Sequence, residues 1–446
     1  MRSATSTSSG RARVGGKVAL GIDLGTSGAR CACSGPGSRL LETHAVEYPP
    51  GGTRLEAYTT ALEELCSSCS DAIRSDIGSV AVDGTSGTAL LCDASDWSVL
   101  AGPLLYNEPA NPSAVSDVAS IAPPGHTTRS STSTLCKLAL WHRMGHIDAA
   151  SSPLVMHQAD WLNALLTGHP STVTDFNNAL KLGCDPALVG SVHPPFPDWI
   201  LNSAYGQALP KDVVAPGTKI GSVSEDASAR LGLPVGAAVC AGTTDSNAAF
   251  LAAGVDKPGL AVTSLGSTLA VKSMSSTRVD NADYGIYSHF LHNSWVVGGA
   301  SNVGGETLRQ FFTADELDEL SAQIDPHSPC TYAYYPLPQG TVGERFPVCD
   351  ASKQPELEPQ PESRAEFLKC LLEGIARVER SAYDRLEDLG ATPINCVITS
   401  GGGSKNEMWR LMRERVLQRC VEVAQHTEAA YGTALLAASA LTESTP

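Results

Sequence analysis

The feature that most limits how this chain can fold is a segment that occurs twice: an apolar run, a glycine turn and a second apolar run. The first copy follows Lys17 and reads VALGIDLGTSGARCAC, and the second spans 260–273 and reads LAVTSLGSTLAVKS. Short runs rich in β-forming residues on both sides of a glycine turn predict a strand, a hairpin and a strand. Two copies of the same device indicate a duplicated domain whose turns face each other.

The length and the order of the elements predict two domains of the α/β class. A chain of 446 residues exceeds the size that one hydrophobic core usually serves, so we expect a ligand cleft between two domains. After the first hairpin, a third strand (40–47) precedes a helix (55–73) and a further strand (80–83). Because helices and strands alternate from there on, the α/β class is favoured. The polar, proline-rich residues 350–363 predict a surface loop before a helix over 364–389.

Charge and hydropathy exclude two classes of partner. The formal net charge of −16 disfavours nucleic acid, because that binding requires clustered Lys and Arg. No stretch approaches the ~18 apolar residues of a membrane span, so we expect no membrane partner either. An acidic protein that binds a phosphate must neutralise it locally, with Mg²⁺ and backbone N–H groups. Phosphate sites in this chain are therefore expected at glycine turns.

The 13 cysteines are irregularly spaced, which fits buried thiols better than a disulfide framework. Cys66 and Cys69 form a C-x-x-C pair in a stretch whose apolar spacing places both thiols on one buried helix face. Because no second pair completes a zinc site, we interpret them as core residues. Residues 1–16 are rich in Ser and Thr, contain three Arg and lack acidic residues, which predicts an organelle transit peptide; the alternative is a disordered tail.

The two glycine turns are candidate phosphate loops. Asp23 stands at the end of the first strand, where its carboxylate can hold Mg²⁺, and glycine lets the following backbone approach a phosphate closely. A single turn of this kind is more often only a hairpin, but its recurrence favours a binding function. The candidate phosphate contacts are Gly25, Thr26, Ser27, Gly266, Ser267 and Thr268.

A third glycine segment, ITSGGGSKN at 398–406, runs from an apolar strand into a helix. Backbone without side chains can lie flat against a nucleotide base or ribose, although strand-to-helix turns also use glycine for geometry alone. The candidate nucleotide contacts are Gly402, Gly403, Asn406 and Trp409.

Asp245 follows the apolar run 234–239 at a strand end where a helix begins. A carboxylate there can accept the proton of an attacking hydroxyl, and the alternative is that it caps the helix. The sequence contains no G-x-x-x-x-G-K-[ST], H-R-D or D-F-G element. The P-loop and protein-kinase solutions to phosphoryl transfer are therefore excluded.

Together these segments resemble the FGGY carbohydrate kinases, a family of the actin and hexokinase superfamily, over nearly everything from Lys17 to Leu441. The most specific matches are GIDLGTS at 21–27, GGGSKN at 401–406 and Asp245. The resemblance implies two ribonuclease-H-like α/β domains with the ligand cleft between them.

By this resemblance, the domain on the sugar and phosphate side comprises 17–252, joined by a C-terminal helix at 427–442, and the nucleotide-side domain comprises 253–426. ATP and Mg²⁺ would be the cofactors. Asp23 would hold Mg²⁺ and the two turns would hold the β- and γ-phosphates. Asp245 would be the catalytic base.

One departure from the family bears on the substrate. The larger members carry a Trp-x-Asp-x-Arg element where this chain reads LYNEP at 105–109, while DGTS at 83–86 remains to contact sugar through Ser86, beside Asp23 and Asp245. A short chain of this kind resembles the compact D-ribulose kinases of plants and cyanobacteria, which implies D-ribulose as substrate and a chloroplast location. The alternatives are D-xylulose or glycerol, a cytoplasmic location, and an actin-fold ATPase or silent sugar sensor.

Overall fold

The computed structural model describes residues 16–168, 172–189 and 191–442. The predicted transit segment, apart from Gly16, lies outside the described residues. Among the described residues, no helix has both the length and the apolar character needed to cross a bilayer.

The chain alternates between strands and helices along most of its length. The strands are β1 (Val18–Leu24), β2 (Gly28–Gly35), β3 (Arg39–Glu47), β4 (Ile77–Gly84), β5 (Ala89–Asp93), β6 (Val99–Leu104), β7 (Pro153–His157), β8 (Val173–Asp175), β9 (Asp212–Val214), β10 (Lys219–Ser222), β11 (Ala238–Cys240), β12 (Leu260–Leu265), β13 (Leu269–Ser275), β14 (His289–Leu291), β15 (Ser294–Ser301), β16 (Cys396–Ser400) and β17 (Cys420–Val423). The helices are α1 (Arg54–Ser68), α2 (Asp71–Arg74), α3 (Pro112–Ile121), α4 (Thr134–Arg143), α5 (His146–Ala149), α6 (Gln158–Thr167), α7 (Phe176–Ala179), α8 (Asp198–Leu201), α9 (Glu225–Leu231), α10 (Asp245–Ala252), α11 (Gly305–Phe311), α12 (Ala314–Ser321), α13 (Arg364–Asp388), α14 (Glu407–Leu417) and α15 (Ala429–Thr442).

The first sheet has the strand order β10-β11-β4-β1-β2-β3. Strands β1, β2 and β3 are antiparallel neighbours, whereas β4 lies parallel to β1 and β11 parallel to β4. Every residue of β1 is buried, as expected for a strand covered on both faces. Parallel pairing also brings the carboxyl ends of β1, β4 and β11 to one edge, where ligands of α/β proteins bind.

The second sheet repeats this topology, with the order β14-β15-β13-β12-β16-β17. Here β12, β13 and β15 are the antiparallel neighbours, and β16 and then β17 continue in parallel. Position by position, β12 and β13 correspond to β1 and β2, and β16 corresponds to β4. The two glycine hairpins therefore hold equivalent places in two copies of one sheet, which is the duplication that the sequence predicts.

Helix α15 returns from the second sheet and packs against β1 and α10. Two glycines permit this approach: a Cβ atom on Gly21 would lie 2.1 Å from the Ala430 carbonyl oxygen, and one on Gly432 would lie 1.8 Å from the Ala248 oxygen. Neither position can carry a side chain without separating the backbones. The end of the chain thus belongs physically to the first sheet, while the domain bounds taken from the sequence stay a prediction.

One sequence expectation about the elements is wrong. The single helix expected over 55–73 is two helices, α1 and α2, because Cys69 and Ser70 have extended backbone angles with ψ of 137° and 147°. Amphipathic spacing alone does not predict this break, because the apolar residues keep their helical spacing on both sides of it. Helix α13, in contrast, spans nearly all of the predicted 364–389.

Candidate active site

Three aspartates meet at the carboxyl edge of the first sheet. Asp23 near the end of β1 and Asp83 near the end of β4 are direct partners in the parallel register. Asp245 is the first residue of α10, and Thr244 before it forms a bridge with Gly84. The strand pairing thus delivers all three side chains to one place.

Asp23 and Asp83 form a buried pair of carboxyl groups. When both are ionised, Oδ1 of each has no hydrogen-bond donor among the residues described, and Oδ2 of Asp83 accepts from Thr433 of α15. Burial raises the pKa of Asp23, and burial together with the Asp23 charge raises the pKa of Asp83 well above its usual range. Two adjacent carboxylates with open oxygens require a shared proton or a cation.

Asp245 lies within the electrostatic reach of this pair. Burial is the main cause of its raised pKa, and the Asp23 charge adds to it, whereas the nearby lysines Lys272 and Lys181 act in the opposite direction. Its Oδ1 accepts from the Ser246 backbone N–H at 2.6 Å. Asp245 therefore contacts the first turn of its helix, yet its carboxyl group also faces charges from other segments.

Two lysines and a histidine that the sequence analysis did not single out lie around Asp245. Lys272 of β13 donates to the Ser246 carbonyl oxygen at 3.1 Å, to Ser246 Oγ at 2.6 Å and to Asn247 Oδ1 at 3.0 Å. Lys181 donates to the Ser86 carbonyl oxygen at 3.2 Å. Burial and the charges of both lysines lower the pKa of His289 well below its usual range, so it stands neutral beside them.

The first glycine turn lines a cavity of about 330 Å³ with neighbouring residues of β2 and β3. The turn is braced on both sides, since Tyr48 donates its hydroxyl proton to the Gly25 carbonyl oxygen at 3.1 Å and Arg54 donates to the Thr26 oxygen at 3.1 Å. Asp23 lies directly before it and 3.7 Å from the Arg30 guanidinium. Hydrogen bonds therefore hold the turn on two sides, and the guanidinium groups of Arg54 and Arg30 place positive charge next to it.

The second glycine turn and the third glycine segment lie together. A cavity of about 480 Å³ is lined by Gly266, Ser267, Gly402, Gly403, Asn406 and Trp409, and also by Arg309 and Asp318. Thr268, although in the same turn, does not line it. Trp409 forms part of its wall while staying buried, with Nε1 donating to the Leu372 oxygen at 3.0 Å. Asn406 caps α14 by accepting from the Trp409 N–H at 3.0 Å.

The residues present fit a nucleotide and a divalent cation. A Cβ atom on Gly402 would meet no atom within 4 Å, and one on Gly266 would meet only the Thr268 oxygen at 3.7 Å, so both glycines border open space. Backbone bordering open space next to Arg309 suits phosphate and ribose. At the other side, the open oxygens of Asp23 and Asp83 suit a hard cation such as Mg²⁺.

The structure brings some predicted residues together and separates others. Gly266 and Ser267 share a cavity with the third glycine segment, whereas Gly25, Thr26 and Ser27 line a different one. Ser86 lies in the turn after β4 and is partly exposed. The sequence analysis included Asp83 only in DGTS at 83–86 and not as a partner of Asp23, although both aspartates stand near the end of a strand. The two lysines stand alone in their segments and gave no local signal.

Known proteins resemble this chain in sequence and in fold. Residues 261–441 match the model of the C-terminal domain of the FGGY family of carbohydrate kinases. The chain is similar to this family over those residues, which are less than half of its length. The match begins in β12 and ends in α15, so the FGGY domain includes the second glycine turn and the third glycine segment.

Two relatives with known names match this chain over about half of their own length. A xylulose kinase of Bacillus subtilis is 24% identical over 230 residues, which is 49% of this chain and 45% of the relative. The chain therefore matches about half the length of the relative. An autoinducer-2 kinase of Photorhabdus laumondii is 25% identical over 292 residues, 58% of this chain and 52% of that protein.

Solved structures match over nearly the whole chain. The xylulose kinase from Rhodospirillum rubrum aligns with a TM-score of 0.75 and 20% identity, covering 96% of this chain and 91% of that one. The glycerol kinase of Plasmodium falciparum with ADP aligns with a TM-score of 0.77 and 15% identity, covering 97% and 91%. These neighbours confirm the predicted two-domain, actin- and hexokinase-like α/β fold.

Proposed function

We propose that this chain is an ATP-dependent kinase that phosphorylates a primary hydroxyl of a pentulose. The observation that carries the proposal is the meeting of Asp23, Asp83 and Asp245 at the end of three parallel strands. A base, a cation site and a phosphate-binding turn are what in-line phosphoryl transfer to an alcohol requires.

Each group then has a role. Asp245 accepts the proton of the attacking sugar hydroxyl at a carboxylate oxygen, and Lys272 holds the N-terminus of α10 so that this carboxylate keeps its position. Asp23, with Asp83 beside it, would hold Mg²⁺, which neutralises phosphate charge when bound. The glycine cavity of the FGGY domain receives the nucleotide, and Arg309 bonds Ser267 Oγ at 2.7 Å at its rim.

For the sugar we propose D-ribulose, because the chain has LYNEP at 105–109 in place of the acidic and basic hydroxyl ligands of larger family members. In the structure this stretch is engaged internally: the Leu105 N–H donates to Glu108 at 2.6 Å, and the Leu105 oxygen accepts from Lys137 at 2.5 Å. D-xylulose is the second candidate, supported by the names of the relatives.

The deciding experiment measures ADP release by the purified protein with D-ribulose, D-xylulose, glycerol or no sugar. We expect release that depends on a pentulose and is fastest with D-ribulose. A faster rate with D-xylulose would replace the substrate but keep the kinase. ADP release that ignores sugar would identify an ATPase, and no release with any sugar would leave a non-catalytic binding protein; either result would reject the proposal.

The role of Asp245 is tested by Asp245→Asn, which keeps the shape and removes the base. We expect sugar-dependent ADP release to fall by ~10²–10⁴-fold while ATP binding is unchanged, since the base acts in the chemical step. The matched control is Asp256→Asn, an aspartate close in sequence that lies outside this carboxylate group. Equal activity of Asp245→Asn and the control would show that Asp245 only begins its helix.

A further inference from the structure

A second group of polar side chains lies under the far end of β2, away from the glycine turn. In the β2–β3 ladder, Cys33 is the direct partner of Glu42, and Cys31 is the direct partner of His44. Direct partners of an antiparallel pair lie on the same face, and residues two apart return to it. All four side chains therefore share one face of the sheet, and helix α1 packs on β2 and β3.

The C-terminal end of α1 adds thiols to this face. Cys69 Sγ lies 3.7 Å from Cys33 Sγ. One carboxylate oxygen of Glu42, one ring nitrogen of His44 and Cys69 Sγ all lie within 4.8 Å of one another. The sequence analysis dismissed Cys66 and Cys69 as metal ligands because no second C-x-x-C exists, but the additional donors come from neighbouring strands and not from a repeated motif.

The spacings agree with tetrahedral coordination. Zinc bonds sulfur at ~2.3 Å and nitrogen or oxygen at ~2.0–2.1 Å, so a tetrahedral site separates two sulfurs by about 3.8 Å and a nitrogen from an oxygen by about 3.3 Å. The Cys33 and Cys69 sulfurs are 3.7 Å apart, and His44 Nε2 lies 3.3 Å from Glu42 Oε2. Each pair has the separation of one tetrahedron edge; Glu42, His44 and Cys69 form the group within 4.8 Å, and Cys33 adjoins it through Cys69.

The surroundings hold one ligand in place and leave a route for an ion. Ser70 donates through its hydroxyl to Glu42 Oε1 at 2.5 Å and through its backbone N–H to Oε2 at 3.0 Å, which fixes the carboxylate. Cys33 and Cys69 are buried, with 0% and 2% exposure, whereas the His44 and Glu42 side chains are 29% and 25% exposed. An ion could enter from the histidine side and meet the thiols inside.

We propose that Glu42, His44, Cys69 and Cys33 form a binding site for a thiophilic divalent cation of the zinc class. On binding, the two thiols release their protons to solvent and coordinate as thiolates, without any change of oxidation state. The site is structural: Cys33 pairs with Leu20 of β1, while Asp23 pairs with Arg30, so the cation would lie well away from the carboxylate edge. It would fasten the end of α1 to β2 and β3.

The test measures zinc bound per chain after equilibration with zinc and removal of the excess, together with a free-thiol count. A second group, Cys396, Cys420 and Glu422, also offers ligand atoms within 4.8 Å of one another, so the measurements use the Cys420→Ser background. We expect one zinc per chain in that background and loss of it in Cys69→Ser and in His44→Ala. Cobalt in place of zinc should produce a thiolate-to-metal charge-transfer absorption that the same variants lack.

Two controls separate the site from general damage. Cys92→Ser removes a buried thiol of β5 outside this group and should retain one zinc. Ser70→Ala leaves every ligand in place but removes the hydroxyl bond to Glu42 Oε1, so zinc affinity should fall by ~10–100-fold. If Cys69→Ser fails to fold, the partly exposed His44→Ala and Glu42→Gln variants decide the question.

Three results would overturn the proposal. The first is a Cys420→Ser protein that holds no zinc at micromolar free zinc. The second is undiminished zinc in Cys69→Ser or His44→Ala. The third is a disulfide between Cys33 and Cys69 in the protein as purified, formed by an external oxidant and seen as a thiol count two lower than expected that peptide mapping assigns to this pair.

Discussion

At the scale of single residues, the glycines of the second hairpin region serve two different physical ends. A Cβ atom on Gly304 would lie 2.5 Å from the Ser267 oxygen and 2.6 Å from the Thr268 Cα, so this glycine lets α11 approach the hairpin turn. A Cβ atom on Gly266 would meet only one atom, at 3.7 Å. One glycine is required for packing, and the other leaves room for a ligand.

These two positions give a paired prediction. Gly266→Val should leave the melting temperature nearly unchanged but raise the KM for ATP at least ~10-fold, because a side chain would fill the open space that we propose for phosphate. Gly304→Val should instead lower the melting temperature through the clash with the turn. Thermal unfolding and ATP titration on both variants check this, and unchanged ATP kinetics in folded Gly266→Val would contradict the assigned phosphate role.

Single residues also show where sequence is informative. Asp23 and Asp245 could be proposed from sequence because each ends or follows an apolar run, a local pattern that survives without knowledge of the fold. Lys181 and Lys272 could not, because their importance arises only when β13 and the segment after α7 meet Asp245 in space. The zinc-class group was missed for the same reason: its donors come from β2, β3 and α1.

At the scale of elements, the second sheet has a polar pair at a position where the first sheet has an apolar pair. Thr263 of β12 pairs with Thr399 of β16 where β1 and β4 place Ile22 beside Val82. Over the threonines, Arg413 of α14 donates to both carboxylate oxygens of Glu379 in α13, each at 2.7 Å. Arg413 also donates to Thr399 Oγ1 at 2.7 Å, and Thr263 donates to Glu379.

We predict that Arg413→Leu destabilises the chain by ~3–5 kcal/mol, because it leaves the Glu379 charge buried without a partner. The double variant with Glu379→Leu should recover most of the loss, since no charge then remains inside. Arg410→Ala, which removes a partly exposed pair with Glu407 and a bond to the Val421 oxygen, leaves no buried charge unpaired and should cost only about 1 kcal/mol. Urea unfolding of the four proteins is the measurement, and a double variant no more stable than Arg413→Leu would refute the explanation.

The elements show why the fold was largely predictable and where it was not. Both hairpins could be located because β-rich runs around glycine give a strong local signal. The small sheet of β6, β5 and β7 was not foreseen: β5 and β6 are close in sequence, but β7 joins them from about 60 residues further along the chain. The break between α1 and α2 was also missed, since it depends on two backbone angles and not on hydrophobic spacing.

At the scale of the whole molecule, Lys272 links the two sheets through hydrogen bonds. It belongs to β13 of the second sheet but donates to residues of α10, which follows the first sheet. Burial lowers the pKa of Lys272 from 10.5 to about 8, although the Asp245 charge opposes that shift. Its proton is therefore lost just above neutral pH, and with it the positive charge that faces Asp245.

We predict that kcat/KM for the sugar falls as pH rises through about 8, and that Lys272→Met has a lower plateau without this decline. On the acid side, activity should fall as the pH is lowered, because Asp245 must be ionised to act. Its pKa is raised above the ordinary Asp value of 3.8, so this fall should begin at a higher pH than for an ordinary aspartate. Rate profiles from pH 5 to 10 with a pentulose provide the check. An alkaline decline that persists in Lys272→Met would exclude this lysine as its source.

Stability separates this effect from unfolding. Between about pH 8 and 10.5 the unfolded chain keeps the Lys272 proton that the folded chain has lost, so this group makes the free energy of unfolding rise with pH there. As the pH rises through this range, activity should therefore fall while the contribution of Lys272 to the free energy of unfolding rises. Comparing wild type with Lys272→Met by denaturant unfolding across that range isolates the contribution of this one group.

The return of α15 to β1 has a consequence for the order in which the molecule can form during translation. The first sheet contains β1, yet the helix that covers β1 and bonds Asp83 through Thr433 follows every other described element in the chain. While the chain is still emerging from the ribosome, β1 has no partner on that side. The carboxylate edge can therefore be completed only after α15 has been translated, long after the segments that carry its three aspartates.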